Sequence, residues 1–514
     1  MANFKPDNII QRTLLDVDFL DVIGTDTFEY SLYQLLERKQ MLSAFEVDYK
    51  NDHVGRKAYP PKVLMRIIFY AYYRGITSSR VIASLCRTDL KFMALAGGDT
   101  PHFTTIADFV SSKPHAIADV FQRVLLICDD SGLIGKEHFA IDGCKISSDA
   151  SKQWSGKHNE LGRKSAKMKK AAQRIIEKHR DSDNSKGEIG QERKQTVETL
   201  LKSAQKIDDF LADNEPRIGE GKSKKEVQSN ITDNDSAKMS TSKGTIQGFN
   251  AVTAADEKHQ IIVNAECFGA GAEQQTLAPT IESIEKNLEM DLGQSDTVIT
   301  ADTGFSSEQT MAYLFERGID AVVPDNQFRK RQEAFSGSET YTSEKEKRKK
   351  TRTDRAQSKA QLSASAFKVD LVAKSCICPA GKEMMYHGEH EGTRGIYSRF
   401  RGKLTDCRAC PLSTRCMKKA VKGRGRQVQF LNAEQAKSSY TDLMKQKIDS
   451  EEGARQYSHR MWTIEPVFGN ICSNKRLDKF SLRGKDKVTG QWHLYCLVHN
   501  LEKLWRYGDV AATV

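Results

Sequence analysis

No stretch of this 514-residue chain stays apolar for the roughly 18 residues that a membrane-spanning helix needs, so no membrane partner is expected. The opening MANFKPDNIIQRTLLDVDF lacks a basic segment followed by an apolar one, which argues against a secretory leader. A disulfide framework is also missing. The 11 cysteines are an odd number, and Cys86, Cys128, Cys144, Cys267, Cys472 and Cys496 stand singly in apolar surroundings, as in a reducing cytoplasm. The chain is too long for one ordinary core, so several domains, or one core with large insertions, are expected.

What is present in excess is positive charge: 79 Lys and Arg against 68 Asp and Glu, a net +11. The excess is uneven. Ser151 to Lys170 holds seven basic residues and one Glu, Arg415 to Arg426 holds six and no acid, and EKEKRKKTRTDR (Glu344 to Arg355) is a third concentration. One such run is ordinarily a solvated face, but three together suit a polyanion.

Residues 1–135 read as all-helical. PPKVLMRIIFYAYYRG (Pro60 to Gly75) begins with Pro, ends with Gly and carries an apolar face. Ser78 or Ser79, Asp89, and Thr104 or Thr105 are expected to cap the helices that follow. Arg66, Arg74, Arg80, Arg87 and Lys91 suit a helix-turn-helix-like DNA-binding unit, with a docking domain as the plainer alternative. A short strand over 136–150 precedes a Lys-rich helical hairpin at 151–230. Strand patterns resume over 231–325: GTIQGFNAVTAAD and QIIVNAECF pair as a hairpin, then helix, strand, helix and strand alternate. Residues 326–455 read as a basic insertion with a cysteine cluster, and 456–514 return to the core. Antiparallel strands followed by alternating helices and parallel strands predict a ribonuclease-H-like α/β core, a mixed five-stranded sheet with helices on both faces.

Two carboxylates fall at strand ends in this reading. HFAIDGCK ends an apolar strand on Asp142, and TVITADTG ends another on Asp302. A lone Asp-Gly is turn chemistry, but these strands are expected side by side, which brings both acids to one sheet edge where open α/β sheets place their sites. Two such neighbours repel unless a cation lies between them. YSHRMWTIEPVFGNICSNK offers a third acid, Glu465, with Pro466 read in the first turn of a helix, and Arg460 and Lys475 nearby. An acid at a helix start is the plainer reading of Glu465 alone. Trp462 reads as core-facing, with stacking on an unpaired terminal base as the alternative.

IDGCKI, ITADTGFSSE and YSHRMWTIEPVFGNICSNK resemble the blocks that carry the first Asp, second Asp and Glu of bacterial insertion-sequence transposases of the DDE class. RGKDKVTGQWHLYCLVHNLEKL resembles their closing helix, SKGTIQGFNAVTAADEKHQIIV the hairpin after the first Asp, and YPPKVLMRIIFYAYYRGITSSRVIASLCRTD with TTIADF their N-terminal domain. The chain departs from the related Tyr-x2-Arg-x3-Glu-x6-Lys pattern, since Arg460 is followed by x4 before Glu465 and x9 before Lys475. The resemblance implies Asp142, Asp302 and Glu465 as catalytic ligands of two Mg²⁺ or Mn²⁺ ions. It also implies Tyr457, Arg460 and Lys475 as contacts to DNA phosphate. Double-stranded DNA is the implied partner, as the element's terminal inverted repeats and the target, with a homodimer in the complex and a place at the bacterial nucleoid. A metal-dependent nuclease on the same fold and a catalytically silent DNA-binding derivative are the rival readings.

Cys376-x-Cys378 and Cys407-x2-Cys410-x5-Cys416 form the remaining cluster. The spacing fits structural zinc on Cys376, Cys378, Cys407 and Cys410 with Cys416 spare. Reduced cysteines that merely pack, or an iron–sulfur cluster, are the alternatives.

Overall fold

The computed structural model describes residues 18–38, 41–47, 58–183, 191–219, 224–331, 362–392, 395–417, 423–436 and 439–508. The basic run Glu344 to Arg355 lies outside them. The described chain divides into two compact units: 1–323 together with 451–514, and 324–450.

The first unit is built on a mixed sheet. Its strands are β1 (His138–Ser147), β2 (Ala237–Thr241), β3 (Gly244–Asp256), β4 (Ile262–Phe268), β5 (Val298–Ala301) and β6 (Ala321–Val322). They run in the order β2-β3-β1-β5-β6, with β4 also on β3. The sheet therefore has six strands rather than five. The extra one, β2, is short and polar, which hid it from a pattern search. Phe139, Ala140, Ile141, Ile299 and Ala301 are fully buried. Such apolar runs mark strands covered on both faces.

Around the sheet lie α1 (Leu277–Leu288), α2 (Glu308–Glu316), α3 (Glu451–Gly469) and α4 (Lys485–Tyr507). In α4, Trp492, Leu494, Tyr495, Cys496, Leu497 and Val498 are all at most 1% exposed. A helix apolar on every side must be enclosed, and this one packs against β4 and against the N-terminal helices Pro61–Tyr73 and Pro114–Asp130. Tyr72 and Tyr495 bring their rings to 4.9 Å. The N-terminal helices thus share one compact unit with the sheet.

Ser78 and Asp89 stand at helix starts, and Asp89 Oδ1 accepts from the Lys91 and Phe92 N–H groups. The next helix starts at Phe103, so His102, not a threonine, takes the capping position. Helices His158–Asp183 and Gln191–Asp213 form the hairpin, with Ser165 Oγ donating to Asp208 at 2.6 Å. Among the described residues no helix is long and apolar enough to cross a membrane.

Candidate active site

β1 pairs in parallel with β5, and the last paired residues are Ile141 and Ala301. Asp142 and Asp302 are the next residue on each strand, so the register sets the two carboxylates side by side. Asp142 is not at the end of its strand. β1 continues to Ser147 against β3, with Asp142 opposite Thr253. Asp142 instead marks where β5 leaves β1, and Gly143 is strand, not turn. A Cβ on Gly143 would stand 2.7 Å from Asn250 Oδ1, so any larger residue would have to displace that side chain.

Helix α3 lies across this edge. Arg460 Nη2 pairs with Asp142 Oδ2 at 2.6 Å, and the guanidinium is 8% exposed. Tyr457, three residues earlier and so on the same face, donates its hydroxyl to Asp302 Oδ1 at 3.4 Å. Thr303 Oγ1 donates to the same oxygen at 3.1 Å. Burial pushes the Asp142 carboxyl up to about 6, against the pull of Arg460 and the Gly143 N–H and with the push of Asp302 and Glu273.

Glu273 is a carboxylate that sequence reading missed, since it lies in a loop after β4 with no pattern around it. It pairs with Lys145 Nζ at 3.3 Å and accepts from Asn250 Nδ2 at 3.4 Å. A Cβ on Gly304 would come within 1.9 Å of its Oε2. The glycine after Asp302-Thr303 was therefore its one sequence trace. Asp142, Lys145, Glu273, Glu465 and Phe468 line one open cavity of ≈ 620 Å³.

Glu465 lines this cavity together with Asp142 but is exposed. The spacing explains its place. Five residues beyond Arg460 turn a helix by about 140°, whereas the four of an x3 spacing turn it by about 40°. Glu465 also lies deep in α3, not in a first turn, and Pro466 is inside the helix. Helix-start electrostatics therefore do not account for the acid. Pro466 has no N–H for the Trp462 carbonyl, which instead accepts from Gln260 Nε2 at 2.9 Å. Trp462 itself is 54% exposed rather than core-facing, its indole N–H donating to Glu257 Oε1 at 3.3 Å.

Lys475 lies in the core and not on the surface. It is 1% exposed, pairs with Glu502 Oε2 at 2.6 Å, donates to Asn470 Oδ1 at 3.2 Å and lies over the Tyr73 ring. The x9 spacing carries it through a π-helical turn, Asn470–Asn474, and into the core. Of the basic N-terminal residues, Arg66 is buried on Glu37 at 2.9 Å and the half-exposed Lys91 pairs with Glu29.

In the second unit the cysteines divide. Cys376 is fully buried among Phe367, Met384, Phe400 and Val428, its sulfur 3.9 Å from that of Met384. Cys378, Cys407, Cys410 and Cys416 line a cavity of ≈ 610 Å³, which Cys376 does not. Spacing alone had put Cys376 in the set and left Cys416 out. Among the described residues, no three His, Cys, Asp or Glu side chains already converge closely enough to share an ion.

Two family models match the chain. A transposase DDE domain covers residues 377–505, including Arg460, Glu465 and α4 as far as Trp505. A transposase domain (DUF772) covers residues 17–112, within the N-terminal helices. Asp142 and Asp302 lie outside both segments. No curated protein matches the chain.

Proposed function

We propose, from the two transposase-domain matches, that the chain is a DDE-class insertion-sequence transposase and that Asp142, Asp302 and Glu465 are its catalytic acids on a ribonuclease-H-like core. In this reading it cleaves DNA at its element's ends and joins the resulting 3′-OH groups to target DNA. The observation that supports this most is the β1–β5 register, which makes Asp142 and Asp302 neighbours beneath the helix that bears Glu465.

The donor set fits a divalent cation. Carboxylate oxygens are hard ligands suited to Mg²⁺ or Mn²⁺, and Asp142 already has a cationic group, Arg460, at 2.6 Å. Asp142, Asp302 and Glu465 would hold the ions, which would supply Lewis-acid stabilisation of the phosphoryl group. The chain's own residues do the rest. The Arg460 guanidinium, with Nη2 on Asp142, turns its remaining N–H groups to an arriving phosphate. Tyr457 steadies Asp302 through its hydroxyl, and Lys145 adds a cation to the cavity wall. Lys475 acts at a distance, by fixing the chain after α3 against Glu502.

The test is joining rather than cutting alone. Pre-cleaved element-end DNA with a labelled 3′-OH, mixed with a target plasmid and Mg²⁺, is expected to become covalently attached to the plasmid. Nicking without joining would instead support a nuclease.

A further inference from the structure

The cysteine-lined cavity of the second unit lies outside the catalytic reading and does not depend on it. We propose that Cys378, Cys407, Cys410 and Cys416 hold one thiophilic divalent cation, zinc by its chemistry, and that Cys376 takes no part.

The backbone directs N–H groups at two of the sulfurs. At Cys378 the chain folds back in a tight turn. The Cys378 N–H donates to the Lys382 carbonyl at 2.9 Å, the Gly381 N–H to the Cys378 carbonyl at 2.8 Å, and Gly381 takes φ +73°. That turn aims the Lys382 N–H at Cys378 Sγ, 3.4 Å away. At Cys407 the Arg426 N–H points to Sγ, also at 3.4 Å. Two glycines let the chain close around this sulfur, since a Cβ on Gly402 or Gly425 would stand 2.9 or 3.1 Å from it. Backbone N–H groups directed at sulfur fix its direction, as outer-shell donors do around metal ligands.

Cys410 and Cys416 follow on the same short helical stretch. Ser413 N–H donates to the Cys410 carbonyl, and Cys416 ends the helix Ser413–Cys416. Four thiolates select a soft tetrahedral ion over Mg²⁺ or Ca²⁺. The thiols stand on the cavity wall without yet meeting, so the ion would draw them inward by side-chain rotation.

The unit also needs a staple. Among the described residues the segment 324–450 buries eight apolar side chains, and Phe367, Cys376, Met384, Phe400 and Val428 form one cluster; small cores are commonly completed by a metal. Cys376 belongs to that core, which is why it is unavailable as a ligand.

The test uses the full chain, purified without chelator. Elemental analysis is expected to find about one zinc per chain, lost in Cys378→Ser, Cys407→Ser, Cys410→Ser and Cys416→Ser and kept in Cys376→Ala. Because a ligand variant can misfold, Co²⁺ is also exchanged into the unmutated chain. Tetrahedral thiolate coordination predicts sulfur-to-cobalt charge-transfer bands together with intense visible bands. Absence of both zinc and the cobalt spectrum from the unmutated chain would overturn the proposal. Retention of zinc by Cys416→Ser with loss in Cys376→Ala would overturn the ligand assignment.

Discussion

Arg460 stands over Asp142 with its Nη2 2.6 Å from Oδ2, so an acid read as a metal ligand carries a protein cation. Both groups are largely withdrawn from water, with side-chain exposures of 9% and 21%. Removing one member of such a pair leaves the other uncompensated, which typically costs about 3 kcal/mol or more. Arg460→Met is therefore expected to destabilise the metal-free protein by about that amount, measured by denaturant unfolding in chelator. Combining it with Asp142→Asn should recover much of the loss. Additive losses in the double variant would show that the pair does not interact as described.

The same carboxylate makes stability depend on pH. Burial raises Asp142 from 3.8 to about 6. An acid whose pKa is higher folded than unfolded favours the fold while it is protonated. Its contribution is full below the unfolded value and is lost as pH rises through about 6. The metal-free protein is expected to lose stability across that window, and Asp142→Asn to flatten the loss. Glu465→Gln, altering an exposed group, should leave the profile as it is. Thermal melts from pH 3.5 to 7.5 (about the span of the two pKa values) separate the three proteins.

Glu273 is placed to tune Asp142 and to hold Lys145. Glu273→Gln removes a negative neighbour, so the Asp142 transition should move to lower pH, read from the same melts. An unmoved transition would mean that Glu273 and Asp142 do not share a field.

Lys475 and Glu502 expose 2% and 9% of their side chains. Lys475→Met is expected to cost about 3 kcal/mol of stability while leaving the salt dependence of DNA binding unchanged. If Lys475 instead gripped a phosphate, the slope of log K against log salt would fall by about one.

Much of this arrangement could be read from the chain, because apolar strands and Gly-punctuated helices follow local rules. FAID and ITAD each place an acid directly after an apolar run, and their adjacency follows from parallel pairing. The continuation of β1 past Asp142 could not be read, since GCKIS has no clear alternation and is held by pairing with distant β3. Glu465 and Lys475 were found by resemblance, but their directions depend on helical phase and on a π-helical turn that spacing alone does not reveal. Spacing likewise grouped Cys376 with the other thiols because it cannot see which side of a short strand faces a core. Glu273 left no pattern at all, only the glycine opposite it.

The central claim is that Asp142 and Asp302 act together, with Glu465, on DNA. Its most direct test is Mg²⁺-dependent cleavage of a supercoiled plasmid carrying the element ends, comparing Asp142→Asn, Asp302→Asn and Glu465→Gln with a change at the exposed Asp296, Asp296→Asn. The account predicts that cleavage is abolished in the first three, with end-DNA binding retained, and unchanged in the fourth. Cleavage by Asp142→Asn or Asp302→Asn at the rate of the unmutated protein would contradict it.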